Sequence, residues 1–240
     1  MKNFVRRLIR SVGLDVVRHP PLHSHSGRMQ RLFDFYKINL VFDIGANEGQ
    51  FGRSLREFGY RGKIVSFEPL SKAHQELSRE GGFDSNWVIA PRMAIGRTPG
   101  EVIINVAANL ESSSILPMSS LHSDAAPTSK YTTTETVVMK TLDDVGIQYY
   151  SPDSIALVKI DTQGFEAEVL AGATDVLSRA VGVQLEMSLV ELYEGQSGYL
   201  ELIQIMSTKG FSLVELAPGF SDPRTGHLLQ TDGIFVKKRV

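Results

Sequence analysis

At 240 residues and 42% hydrophobic content, the chain holds enough apolar material for one well-buried domain. Its 25 Lys and Arg against 27 Asp and Glu leave a formal charge of -2, and with no long basic run the chain offers no footprint for a nucleic-acid backbone, which disfavours a nucleic-acid partner. The absence of cysteine excludes disulfides, thiolate metal sites and a cysteine nucleophile, and it fits a reducing, cytoplasmic setting.

The N-terminal stretch MKNFVRRLIRSVGLDVV puts Phe4, Val5, Leu8, Ile9 and Val12 on one helical face, with Arg6, Arg7 and Arg10 elsewhere. Those arginines interrupt any signal-peptide core, and no apolar run is long enough to span a bilayer. The pattern predicts a helix packed on the domain or on a second copy in a homodimer; the alternative is docking of residues 1–17 at a membrane surface. His19, His23 and His25 follow among prolines and serines with no acid nearby, the composition of a solvated connector rather than a metal site. Residues 1–37 therefore read as an extension, and 38–240 as the domain.

From residue 38 the pattern alternates. INLVFDI (38–44) is a buried-strand run, QFGRSLREF (50–58) a helix stopped by Gly59, and KIVSFE (63–68) a second strand. SKAHQELSRE (71–80) reads as a helix opened by Ser71 and stopped by Gly81 and Gly82, and NWVIA (86–90) as a third strand. This spacing predicts a doubly wound, mostly parallel α/β sheet with right-handed crossovers. EVIINVA and TVVMKTL look like strands flanking a polar insert at 109–134, long enough to be a lid over a site or a disordered segment. The alternation resumes with IALVKI (155–160), a helix over FEAEVLAGA (165–173), the strand VGVQLEM (181–187) and a helix over GYLELIQIMSTKG (198–210). FSLVEL and GIFVKK are placed to close the sheet as a pair.

The loop after the first strand carries the chemistry. A glycine-rich turn there offers backbone N–H groups and a helix N-terminus at the carboxyl edge of the sheet, where such folds bind nucleotides. A dinucleotide fingerprint needs a glycine where Gly45-Ala46-Asn47-Glu48-Gly49 has Asn47. Asp43 and Glu48 also repel a pyrophosphate, since like charges at 4 Å cost roughly 4 kcal/mol at an effective dielectric near 20. A cationic nucleoside such as S-adenosylmethionine suits these acids, with Asp43 toward its charged end. Glu68, at the end of the second strand, is placed to accept the ribose hydroxyls, and Pro69 keeps it out of helical geometry.

Taken together, FDIGANEGQF (42–51), SFEPL (66–70), MAIG (93–96), TLDD (141–144), VKIDTQGFEAEVLAGA (158–173), QLEMSLVELYEGQ and TDGIFVKK resemble the FkbM-type S-adenosylmethionine-dependent methyltransferases. The resemblance implies a seven-stranded class I methyltransferase fold and methyl transfer, mostly to hydroxyl oxygens of sugars, glycolipids or natural products. It implies cofactor contacts from Asp43, Gly45, Ala46, Asn47, Gly49 and Phe51 in the first loop and helix. Glu68, Pro69, Met93, Asp161 and Gln163 would supply the rest. The first forty residues and 117–134 lie outside it.

KIDTQGFE can also be read by itself. The strand delivers Asp161 to the edge beside Asp43, and Gly164 permits a tight turn into the next helix. Glu186 arrives from the following strand, while Glu166 and Glu168 near a helix N-terminus read as structural. Asp161 and Glu186 are candidate general bases for an acceptor hydroxyl, or ligands of a Mg²⁺ that acidifies it. His122 in the insert is a third candidate base if that segment covers the site. An NAD-dependent oxidoreductase and a non-catalytic binding protein on the same fold are the rival functions. An adenine-directed enzyme is disfavoured, because IDTQ stands where an Asp/Asn-Pro-Pro-aromatic motif would be needed.

Overall fold

The computed structural model describes residues 24–238, together with Arg10, Ser11 and Gly13. The amphipathic pattern of residues 1–17 lies largely outside the described residues, as do His19 and His23. His25 is not in a solvated connector. Ser24 caps a helix, α1 (His25–Tyr36), its hydroxyl accepting from the Gly27 N–H at 3.1 Å. Met29 and Phe33 are buried by this helix, with the Phe33 ring edge-on to Phe58 and Tyr60 at 5.6 and 5.0 Å. The His25 Nδ1 lies 2.9 Å from Glu215. The helix forms because a serine N-cap precedes apolar residues at helical spacing, a signal that the preceding prolines obscure.

The elements then follow in the order β1 (Leu40–Ile44), α2 (Gln50–Glu57), β2 (Lys63–Phe67), α3 (Ser71–Gly81), β3 (Trp87–Ile89), β4 (Ala94–Ile95) and β5 (Gly100–Ala107). Next come α4 (Ser120–Ala125), β6 (Tyr131–Lys140), α5 (Leu142–Gly146), β7 (Ala156–Ile160), α6 (Glu166–Ala171) and α7 (Thr174–Arg179). The chain closes with β8 (Ala180–Ser188), α8 (Tyr199–Thr208), β9 (Phe211–Pro218) and β10 (Gln230–Lys237). Ser71 is the first residue of α3 rather than its cap, which is Leu70.

Seven strands form one sheet in the order β3-β2-β1-β7-β8-β10-β9. The pairs β2–β3, β1–β2, β1–β7 and β7–β8 are parallel, and β10 runs antiparallel to both neighbours. Alternation along each strand divides the core between the two faces. Phe42, Val158, Val183 and Leu185 pack on one, and Val41, Ile64, Leu157 and Ile234 on the other with Met29, Leu55 and Leu77. Each such side chain contributes about 1.5–3 kcal/mol on burial. The chain runs outward from β1 to β3 and then returns to β7 beside β1. That reversal opens a crevice at the carboxyl ends of β1 and β7.

The strands over EVIINVA and TVVMKTL do not join this sheet. They form a three-stranded sheet in the order β4-β6-β5, which packs Ile104, Val106 and Val137 against Leu70 and Ala73. The polar insert between them is folded, not an open loop. Asn105 and Ser114 exchange backbone hydrogen bonds, Ser119 caps α4, and the Ser119 and Glu194 N–H groups bond the carbonyls of Leu192 and Pro117. The serines that make the segment look loop-like in sequence serve as caps and turn residues.

Candidate active site

The carboxyl ends of β1 and β7 are held almost in contact. Gly45 adopts φ +74°, and a Cβ there would lie 1.8 Å from the Asp161 carbonyl oxygen, so only glycine fits. The Asp161 N–H donates to Ile44, and the N–H groups of Gly45 and Ala46 both donate to Phe67. Asn47 follows at φ +47°, a left-handed conformation that asparagine tolerates. Its Oδ1 is buried without a partner in the protein. Gly49 at φ +89° is the N-cap of α2.

Glu68 fixes this loop from the end of β2. One carboxylate oxygen accepts the Asn47 N–H and the other the Leu70 N–H, both at 2.8 Å. Each oxygen keeps a lone pair for a ligand. The residue is 4% exposed, and burial pushes its carboxyl up to about 7 against those two hydrogen bonds.

Asp43 sits elsewhere than the sequence implies. It is fully buried behind the loop and does not line the cleft. Its register partners are Ser66 on β2 and Lys159 on β7, so the three side chains form a polar row across one face. The Trp87 indole donates to Ser66, Ser66 donates to Asp43 at 3.1 Å, and the Lys159 ammonium lies 3.4 Å from the other Asp43 oxygen. Lys159 also donates to the Gly45 carbonyl at 3.1 Å and stands 3.3 Å from Asp161, over the Phe51 ring. Burial opposes the ammonium charge, but Asp161 and Asp43 outweigh it and hold Lys159 above the ordinary lysine range. Burial raises the Asp43 carboxyl, and Lys159 and Ser66 pull it back. The Asp43 charge is thus matched by Lys159, a residue not singled out from the sequence; a lysine inside the apolar run IALVKI is the signal that could have found it.

At the end of β7, Gln163 and Gly164 both take positive φ, and Glu166 folds the turn. Its Oε1 accepts from the Thr162 N–H, the Thr162 hydroxyl and the Gly164 N–H. Burial pushes the Glu166 carboxyl to about 7. Glu168 makes a two-pronged ion pair with Arg97. Both acids are engaged in the fold, as acids at a helix N-terminus commonly are.

Gln163 joins the two candidate bases. Its amide nitrogen donates to Asp161 at 2.8 Å and to Glu186 at 2.5 Å, its amide oxygen accepts from Tyr193, and its backbone carbonyl accepts from Ser114. Gln230 donates a second bond to the same Glu186 oxygen at 2.8 Å. Glu186 is pushed well above the ordinary carboxylate range by burial and then by Asp161, Glu166 and Asp232. Asp232, the register partner of Glu186 across β8 and β10, is likewise raised by burial and by Asp161. Gln184 and Asp232 lie within the stretches QLEMSLVELYEGQ and TDGIFVKK, but nothing in the sequence marked either as a candidate site residue; the register brings them to this edge.

These groups surround a cleft of about 360 Å³. Glu68, Pro69, Met93 and Ile95 line one end, the 45–51 loop and helix run along its length, and Asp161, Gln163, Glu186 and Asp232 lie at the other end. Leu110, Glu111 and Ser113–Ile115 of the insert form a wall. His122 does not line it. The ring is 3% exposed and packs edge-on to Tyr193 and against Phe220, and burial lowers it to about 4, so it is neutral at pH 7 but outside the cleft.

Among the described residues no cluster of three or more His, Asp or Glu side chains is arranged to hold a metal ion, which does not support a Mg²⁺ between Asp161 and Glu186. The donor set agrees, because Lys159 and the Gln163 amide already occupy those carboxylates. Among the described residues no helix is long and apolar enough to cross a membrane.

Comparison with curated proteins returns no match. Among solved structures, FkbM from Methylobacillus flagellatus KT is similar at 15% identity and a TM-score of 0.48, covering 82% of this chain but only 43% of that longer one. The plantazolicin methyltransferase BamL, solved with a triazolic desmethylPZN analog and SAH, is similar at 11% identity and a TM-score of 0.49, covering 89% of this chain and 85% of that one. An rRNA methylase from Streptococcus thermophilus is similar at 10% identity and 0.48, covering 90% and 98%. The strand order, with the next-to-last strand of the sheet antiparallel, is that of a class I methyltransferase. Residues 43–213 match the family model of the methyltransferase FkbM domain, and the chain belongs to that family.

Proposed function

We propose that the protein transfers a methyl group from S-adenosylmethionine to a hydroxyl oxygen of a small molecule, such as a sugar, a glycolipid or a natural product. The observation that carries this reading is the layout of one continuous cleft. It joins a buried carboxylate, Glu68, at the end of β2 to two amide-bridged carboxylates, Asp161 and Glu186, beyond β7. Glu68 would hold the ribose hydroxyls. Pro69, Met93 and Ile95 would flank the base, and the unpartnered Asn47 Oδ1 and the Gly45–Gly49 loop would meet the remainder.

The bound cofactor supplies a methyl carbon already activated by its sulfonium. The protein's task is orientation, worth roughly 7–11 kcal/mol when complete, and removal of one proton. With the sulfur keeping the electron pair of the bond it gives up, the acceptor oxygen would take that methyl, and the Asp161–Glu186 pair would accept its hydroxyl proton. Gln163 holds the two carboxylates in a fixed relation, and Lys159 fixes the far oxygen of Asp161.

Incubation with methyl-labelled cofactor and a small-molecule and glycolipid extract, read by mass spectrometry, tests the proposal. One labelled methyl on a hydroxyl is expected. A labelled methyl on nitrogen or carbon would refute oxygen transfer, and cofactor binding without turnover on any hydroxylated acceptor would favour a binding protein.

A further inference from the structure

The reacting end of the cleft holds more carboxylate than methyl transfer to a neutral hydroxyl needs. Asp43 is matched by Lys159, and Asp161 faces the same ammonium. Asp232 has no part in that transfer, and it is paired with Glu186 across the antiparallel β8 and β10, the two side chains on one face. Directly opposed Cβ atoms in such a pair lie about 4.5–5.5 Å apart, close enough for one ligand group to reach both carboxylates. Gln184 lies two residues before Glu186 on that face and lines the same cleft. It is 4% exposed, and its Oε1 is buried with no hydrogen-bond partner in the protein. A buried amide oxygen without a donor carries an uncompensated desolvation penalty, so its retention at a ligand cleft calls for a donor from the ligand.

The three groups share one deficiency. Both hydrogen bonds to Glu186 fall on its Oε2, leaving Oε1 for a ligand. The Gln184 side chain lies close enough to Asp232 to favour its charged form, and the Gln184 oxygen receives nothing. All three present acceptors, and a primary ammonium carries three donors, no acceptor and the opposite charge. A hydroxyl offers one donor and brings lone pairs of its own.

We propose that Glu186, Asp232 and Gln184 form a subsite for the ammonium group of the acceptor, which is therefore an amine-bearing hydroxyl compound of the amino-sugar or amino-alcohol class. This rests on the proposed transfer to a hydroxyl. The subsite lies at β8 and β10, two and three strands from the Gly45–Gly49 loop that follows β1, so the ammonium end of the acceptor sits apart from the nucleoside end of the cofactor.

The test uses the full chain, with and without saturating S-adenosylhomocysteine, and matched probes that differ by the amine: glucosamine against glucose, and ethanolamine against ethylene glycol. Saturation-transfer NMR titrations are expected to show each amine binding at least about tenfold more tightly than its partner, as one charge-assisted contact implies. Asp232→Asn is expected to bring each pair within about twofold, while calorimetric affinity for S-adenosylhomocysteine stays at the wild-type value. Wild-type protein that binds neither amine, or binds amine and hydroxyl partners alike, overturns the proposal with no variant needed. A preference that survives in folded Asp232→Asn also overturns it. Failure of wild-type protein to bind S-adenosylhomocysteine would refute the cofactor reading instead, and the amine comparison without cofactor still decides the subsite.

Discussion

Replacing Lys159 by methionine removes the only ammonium placed against Asp43 among the described residues. At 3.4 Å the gross attraction is about 5 kcal/mol at an effective dielectric of about 20. The net loss is set by what remains: a fully buried carboxylate with only Ser66 donating to it, a situation that costs roughly 3–5 kcal/mol. Asp43→Asn should cost less, because Lys159 keeps Asp161. The double variant should lose less than the sum of the two, by about 0.5–3 kcal/mol of coupling. The pH dependence supplies a second check. Without Lys159, the folded-state pKa of Asp43 moves further above its unfolded value. The folded chain then binds a proton that the unfolded chain releases, and stability falls as pH rises through and above the ordinary aspartate range. Urea unfolding at pH 5 and pH 8 should therefore show a Lys159→Met deficit that grows with pH and is absent from Asp43→Asn/Lys159→Met. A deficit under about 1 kcal/mol, independent of pH and additive with Asp43→Asn, would show that the buried pair does not organise this site.

Asp161→Asn should lower turnover by about 10²–10⁴ while cofactor affinity, read by calorimetry, changes only modestly; near-wild-type turnover would move the proton-accepting role to Glu186. EDTA should leave wild-type turnover unchanged, and an inhibition reversed by Mg²⁺ would overturn direct proton transfer to the carboxylate pair. Glu68→Ala should weaken S-adenosylmethionine binding by about 1.5–3 kcal/mol, and an unchanged affinity would place the ribose elsewhere. Burial lifts Glu68 and Glu166 to about 7, so between their unfolded values near 4.5 and that pH the folded state binds more protons and stability declines as pH rises. Glu166→Gln should flatten that decline in pH-dependent denaturation, and an unaltered slope would show that Glu166 is not the source.

The sequence by itself determined the alternation of strands and helices, because buried parallel strands read as apolar runs and the helices between them carry period and caps. It also determined that Glu68, Asp161 and Glu186 would reach one edge beside the glycine-rich loop, since each comes at or near the end of a strand of the same sense. Ser24 as a cap was written in the sequence but masked by prolines, and the serines of 109–134 could not be assigned because caps and solvated loops use the same residues. Tertiary structure alone decided what the acids do. Register sets Asp43 against Lys159 rather than a ligand, and it brings Asp232, about seventy residues away in sequence, beside Asp161 and opposite Glu186. Packing of α4 turns His122 toward Tyr193 and Phe220 and out of the cleft. Strand period tells which residues share a face, but which strands become neighbours, and hence which charges meet, depends on contacts between segments far apart in the chain.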